Sequence, residues 1–196
     1  MLISFTGAQS TGKSTLLNKM VSDSSYRKCS FIKEVTRKVA RNGLNINEQG
    51  DNVTQLFILN EHLNNHHLNG NAILDRCILD GFIYTKYLHD INKVDDWVLE
   101  YSINMFKLLA PKLDIIFYTD PTDIPIEDDN IRSLNPVFRD YIINEYNNLL
   151  FENNSKIPDI LSGCDELLNT IRSKTIKLNG SVSERYKTII TNLKFL

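Results

Sequence analysis

Residues 7–15 read Gly7-Ala8-Gln9-Ser10-Thr11-Gly12-Lys13-Ser14-Thr15, directly after the apolar run Leu2-Ile3-Ser4-Phe5-Thr6. The pattern is GxxxxGKS between a buried strand and an amphipathic helix, and it predicts a phosphate-binding loop. The glycines let the backbone curl so that successive N–H groups point inward at phosphate oxygens. In this reading Gly7, Gln9, Ser10, Thr11 and Gly12 form the cradle, Lys13 reaches the β- and γ-phosphates, and Ser14, followed by Thr15, offers its hydroxyl to Mg²⁺. A helix starting at Lys13 adds the partial positive charge of its N-terminus. Something bearing a triphosphate is expected to bind here.

Working outward, short β-branched or apolar runs recur at 2–6, 30–33, 72–75, 114–118 and 175–178, separated by longer stretches of helical periodicity. That alternation predicts an α/β fold, a parallel sheet covered on both faces by helices. Helices are expected at 13–21, 35–42, 52–69, 81–90, 95–109, 136–151 and 183–193. Gly43 suits the position just past a helix end, and Ser181 with Glu184 forms a capping-box pattern. Residues 119–135, rich in Pro and Asp, carry no helix or strand signal, and a mobile lid is expected over about 119–139. At 196 residues the chain is expected to form one domain, residues 1–196.

A net charge of −2 and a pI near 6.1 carry no signature of a dedicated nucleic-acid binder. The three cysteines, Cys29, Cys77 and Cys164, are far apart and odd in number, without CxxC spacing, so they read as reduced thiols. No apolar stretch approaches a membrane span and the chain opens directly into its first strand, so a soluble cytoplasmic protein is expected. His62, His66, His67 and His89 match no metal pattern and are expected on helix surfaces.

Ligands of open α/β sheets bind at the carboxyl ends of the strands, so residues there are candidates for chemistry. Glu34 ends the second run, on a strand expected beside the one bearing the phosphate loop, and Arg37 follows on the next helix. The carboxylate could take the proton of an attacking hydroxyl while Arg37 holds a phosphate; the other reading is an exposed ion pair at a helix start. Asp75 closes the third run where an acid would hold Mg²⁺, with Arg76 beside it for the acceptor, the alternative being a helix N-cap beside a surface arginine. Asp80 is the better N-cap. Gln55 either reads a base edge or ribose of the acceptor or is a plain surface glutamine.

Arg132 and Arg139 in the lid segment could close over the γ-phosphate, or simply balance Glu127, Asp128 and Asp129. Asn179, Gly180 and Ser181 are flexible enough to lie against an adenine edge, and Arg185 either stacks on the ring or pairs near Glu184.

These marks, above all GAQSTGKSTL at 7–16, Glu34-Val35-Thr36-Arg37, the Asp75 strand end, Asp129-Asn130-Ile131-Arg132 and 180–185, resemble a P-loop family. It contains the nicotinamide riboside kinase domain of bifunctional NAD-biosynthesis regulators and stand-alone AAA-type relatives from phages and bacteria. The order Glu34, Gln55, Asp75-Arg76 is also similar to deoxynucleoside kinases, although Cys77 stands where those have serine. The resemblance implies an adenylate-kinase-like core, ATP with Mg²⁺, and phosphate transfer to a small-molecule nucleoside or nucleoside monophosphate. The competing expectations are a kinase of a polynucleotide or modified-base hydroxyl, and a P-loop ATPase or binding module without acceptor chemistry.

Overall fold

The computed structural model describes residues 1–122, 133–152 and 159–193. Five strands, β1 (Leu2–Thr6), β2 (Ser30–Ile32), β3 (Ala72–Asp75), β4 (Ile115–Thr119) and β5 (Thr175–Leu178), form one sheet in the order β2-β3-β1-β4-β5. Every neighbouring pair is parallel. β1 is fully buried at the centre. Because side chains alternate along a strand, Ile3 and Phe5 face one layer and Leu2 the other.

The helices are α1 (Lys13–Val21), α2 (Val35–Arg41), α3 (Asn52–Asn65), α4 (Ile78–Asp90), α5 (Asp96–Leu109), α6 (Pro136–Leu150), α7 (Asp165–Ser173) and α8 (Val182–Asn192). On one face Leu16, Leu17 and Met20 of α1 meet Tyr186 and Ile189 of α8 over Ile3, Phe5 and Phe117. On the other, Phe82, Phe106, Ile142 and Tyr146 from α4, α5 and α6 cover Leu74, Ile116 and Tyr118. The α/β expectation therefore holds, with helices on both faces. In register Phe5 lies opposite Asp75 and Thr6 opposite Tyr118, so the carboxyl ends of β1, β3 and β4 finish level with one another. Their following loops share one edge of the sheet.

Several local expectations are corrected. α3 ends at Asn65 rather than 69, where the His66 ring nitrogen Nδ1 lies 2.7 Å from the His62 carbonyl oxygen and the Asn-rich sequence stops favouring helix. α4 starts at Ile78, not at 81: Cys77 is the N-cap, and Asp80 sits inside the first turn, accepting the Cys77 N–H. α7 was not expected. It is a short helix, entered after Gly163, with acids in its first turn, Arg172 in its last, and only Leu168 and Ile171 buried. β2 lies beside β3, so Glu34 is one strand removed from the strand that bears the phosphate loop.

His62 and His66 are buried rather than on the surface. A Cβ at Gly81 would stand 3.0 Å from His62 Cδ2, so the missing side chain lets α3 approach α4 over that imidazole. Residues 123–132 of the expected lid, with Arg132, lie outside the described residues. Among the described helices none is long and apolar enough to cross a membrane.

Candidate active site

The loop between β1 and α1 is held by backbone conformations that side chains rarely adopt. Gly7 has φ +132°, and a Cβ there would lie 2.8 Å from Thr119 Oγ1 and 2.9 Å from the Thr119 carbonyl oxygen. Gly12, the N-cap of α1, is left-handed at φ 82°. Thr11 closes the loop from inside, donating to the Ala8 carbonyl at 3.0 Å and meeting Thr119 Oγ1 at 2.6 Å. The buried Lys13 ammonium donates to the carbonyls of Gly7 (2.8 Å) and Ala8 (2.5 Å) and to Thr11 Oγ1 (3.2 Å). Burial, and then the nearby Arg76 charge, pull its pKa down to about 7. The loop carbonyls thus hold a cation that is only partly compensated, as a site for phosphate oxygens requires.

Ser14, in the first turn of α1, and Asp75, at the end of β3, meet with Ser14 Oγ 3.5 Å from Asp75 Oδ2. Burial, then the charge of Glu34, push the Asp75 carboxyl up to about 6. A hydroxyl and a buried carboxylate short of counter-charge, beside a phosphate loop, are hard oxygen donors that suit Mg²⁺, which commonly takes few protein ligands. Among the described residues no cluster of three or more metal-ligating His, Cys, Asp or Glu side chains occurs, which is compatible with that mode.

Arg76 organises the neighbouring pocket. It follows β3 in the left-handed region, at φ 76°, a costly conformation for an arginine that the surroundings must enforce. Only 8% exposed, it is not a surface residue. Its Nε donates to Glu34 Oε1 at 2.6 Å, and its Nη1 to Asp80 Oδ1 at 2.7 Å and to the Gly7 carbonyl at 3.2 Å. Asp80 also accepts from Thr6 Oγ1 at 2.7 Å. Burial alone would raise both carboxyls, but the Arg76 guanidinium holds Glu34 and Asp80 below the usual carboxylate range.

Glu34 is the N-cap residue of α2, yet its side chain makes no capping bond and turns to Arg76, with Arg37 Nε 3.5 Å from its other oxygen. The pair is therefore not a plain exposed one. Glu34, Gln55, His62, Arg76, Asp80 and Tyr84 line one narrow pocket of about 30 Å³. Gln55 is buried there, its Oε1 3.0 Å from Thr85 Oγ1, which rules out a surface glutamine.

A second cleft, of about 590 Å³, opens on the other side of the phosphate loop, lined by Gly12, Leu16, Asp120, Asn179, Ser181 and Arg185 among others. Arg185 lines this cleft and does not pair with Glu184. It is 2% exposed and donates to the carbonyls of Gly180 (2.8 Å), Thr11 (2.9 Å) and Asp120 (2.9 Å). Glu184 instead accepts from Ser181 at 2.8 and 2.7 Å. Arg185 thus lashes together three loops at the sheet edge. Arg139 stands in the first turn of α6 and is not among the described residues that line either cavity.

Sequence reasoning missed Asp80, Tyr84, His62 and Asp120 as site residues. Asp120 carried a usable signal, an acid just past a parallel strand; it pairs with Lys177 at 2.6 Å. Asp80 and Tyr84, four apart on α4, share a face with no local mark to distinguish them.

Residues 2–163 match the model of a family described as an AAA domain. The chain belongs to that family. No curated protein matches it. Among solved structures, this AAA-domain chain is similar to deoxyadenosine kinase from M. mycoides with products dCMP and a flexible dCDP bound, at 18% identity and a TM-score of 0.57, covering 99% of this chain and 98% of that one. It is also similar to NadR protein in complex with NR, at 13% identity and a TM-score of 0.61, covering 99% of this chain and 51% of the other. A complex of NadR with NAD and AMP-PNP gives the same identity and score, over 49% of that chain. The AAA-domain chain thus spans about half the length of NadR. These likenesses show a P-loop kinase-like fold, shared with deoxyadenosine kinase and NadR.

Proposed function

We propose that the protein is an ATP- and Mg²⁺-dependent phosphotransferase acting on a nucleoside or nucleoside monophosphate. The observation that carries this reading is the Arg76 guanidinium, which bonds Glu34 in the inner pocket and the Gly7 carbonyl of the phosphate loop at once. A pocket with its own carboxylate is thereby built against the loop that would hold a triphosphate, as transfer between two substrates demands.

On the donor side the base lies in the larger cleft against Asn179 and Ser181, and the phosphates take the loop N–H groups of Gly7, Gln9, Ser10, Thr11, Gly12 and Thr15. Lys13 leaves the loop carbonyls for phosphate oxygens. Bound Mg²⁺ supplies charge neutralisation of the triphosphate, and Ser14 and Asp75 are the residues that would hold it. On the acceptor side Glu34 accepts the proton of the attacking hydroxyl as the oxygen–Pγ bond forms and the bond to the β-phosphate oxygen breaks. Gln55 contacts the base, and Arg37 and Arg76 would receive the phosphate of a monophosphate acceptor. Arg132 and Arg139 complete the proposed charge over the γ-phosphate.

Ligand pockets usually enclose about 300–1,000 Å³, so a pocket of about 30 Å³ must widen around the acceptor. A polynucleotide acceptor would instead need an open basic channel. Residues 1–196 acting as one domain in the cytoplasm complete the proposal. A screen with γ-labelled ATP across nucleosides, their monophosphates and short oligonucleotides tests it: label in a nucleoside product supports the reading, and ADP release with no labelled acceptor refutes it in favour of an ATPase.

A further inference from the structure

Gln9 lies inside the phosphate loop and is 3% exposed. Its amide nitrogen Nε2 is buried and has no hydrogen-bond partner among the described residues. Its oxygen Oε1 faces the Tyr84 hydroxyl at 3.4 Å. The Arg76 guanidinium carbon stands 5.2 Å from the Tyr84 ring centroid. Burial pushes the Tyr84 phenol up to about 12, so it keeps its one proton at neutral pH. Among the described residues that proton has Gln9 Oε1 as its acceptor. The Tyr84 hydroxyl therefore sets the amide the right way round, with the NH₂ group left over.

We infer that Gln9 is a binding group for the acceptor, its Nε2 donating to a sugar oxygen beside the attacking hydroxyl, and that Tyr84 is the positioning residue that aims it. An unmatched buried NH₂ is destabilising, and such groups in folded proteins call for a partner. The partner must bring an oxygen to the seam between loop and pocket. Tyr84, the group that orients the amide, lines the inner pocket with Glu34, Arg76 and Asp80, while the buried Gln9 lines neither cavity itself and meets that pocket through the Tyr84 hydroxyl. A nucleoside sugar carries its oxygens there when its hydroxyl faces Glu34. The inference rests on the phosphotransfer reading and adds to it a contact that the loop motif itself does not specify.

The test is steady-state kinetics with the common ribo- and 2′-deoxyribonucleosides and their 5′-monophosphates as acceptors. Gln9→Met keeps length and removes the amide. It should raise KM for the acceptor about 10-fold and leave KM for ATP within about 2-fold, since the loop N–H groups and Lys13 are intact. Tyr84→Phe should shift acceptor KM in the same direction, and the double variant should be no worse than Gln9→Met alone, as for two members of one chain. Tm and ATP affinity report whether each variant folds. Should Gln9→Met unfold, Gln9→Glu, which keeps an oxygen for Tyr84 but has no N–H, should show the same rise. An unchanged acceptor KM, a parallel rise in KM for ATP, or additive effects in the double variant overturns the inference alone. A wild-type protein that phosphorylates none of these acceptors overturns the phosphotransfer reading and this inference with it.

Discussion

Glu34→Gln separates chemistry from architecture at the centre of the site. Glu34 holds Arg76 Nε at 2.6 Å and Arg37 Nε at 3.5 Å. Glutamine keeps an oxygen for Arg76 but gives up the charge, and Arg76 retains Asp80 at 2.7 Å and the Gly7 carbonyl. Because a charge-assisted hydrogen bond is roughly twice as strong as a neutral one, the stability loss is about 1–2 kcal/mol, a fall in Tm of roughly 2–8 °C for a chain of this size. The kinetic loss is larger. A positioned general base contributes about 10²–10⁴-fold, or about 2.7–5.5 kcal/mol of barrier, so at 25 °C the variant is folded and binds ATP while transfer falls by that factor.

The acid side gives a second check on Glu34. Its folded pKa lies below the ordinary 4.5 because of Arg76. A group lowered in this way contributes stability that is present above the unfolded value and lost as pH falls through the folded one. Wild type should therefore lose stability below about pH 4.5 more steeply than Glu34→Gln, read by denaturation across pH. The assay is ATP-saturated kcat with the nucleoside acceptor found in the screen. An unchanged kcat on a neutral nucleoside refutes the base role.

Lys13→Ala should abolish turnover. With Lys13 near 7 in the free protein, ATP binding at pH 8 should take up protons in the wild type, as phosphate charge restores the ammonium, and not in the variant; calorimetry in buffers of different ionisation enthalpy measures this. Asp75 is raised in the folded protein to about 6 from 3.8, so the cost to stability grows as pH rises from about 4 to about 6 and stays constant above that. Asp75→Asn should raise the Tm of the nucleotide-free protein at pH 7, and the stabilisation by Mg²⁺ with ATP should weaken in the wild type as pH falls through about 6 and be small at every pH in the variant. Arg185→Met leaves the carbonyls of Gly180, Thr11 and Asp120 without their shared donor, so KM for ATP should rise about 10-fold with acceptor KM unchanged in initial-rate measurements; an unchanged KM for ATP would mean the clamp does not shape the donor cleft.

The sequence by itself determined what contiguous residues encode. The run 2–15 specifies strand, loop and helix together, because burial periodicity and the two glycines act within a few residues. The alternation of runs specified a parallel sheet, and the parallel sheet placed Asp75 and Arg76 at its ligand-binding edge. Tertiary structure decided every pairing across the chain: that Arg76 joins Glu34 to Asp80, that Gly81 lets α3 bury His62, that Arg185 ties Thr11 to Asp120, and that Tyr84 orients Gln9. Apart from Arg76 and Asp80, which are four residues apart, the partners in these contacts lie on different elements, in most cases tens of residues apart, and no local spacing records them. Burial then set their chemistry: an arginine, a histidine or a glutamine changes role when water is withdrawn, because each polar group must find its partner inside the protein or in a ligand.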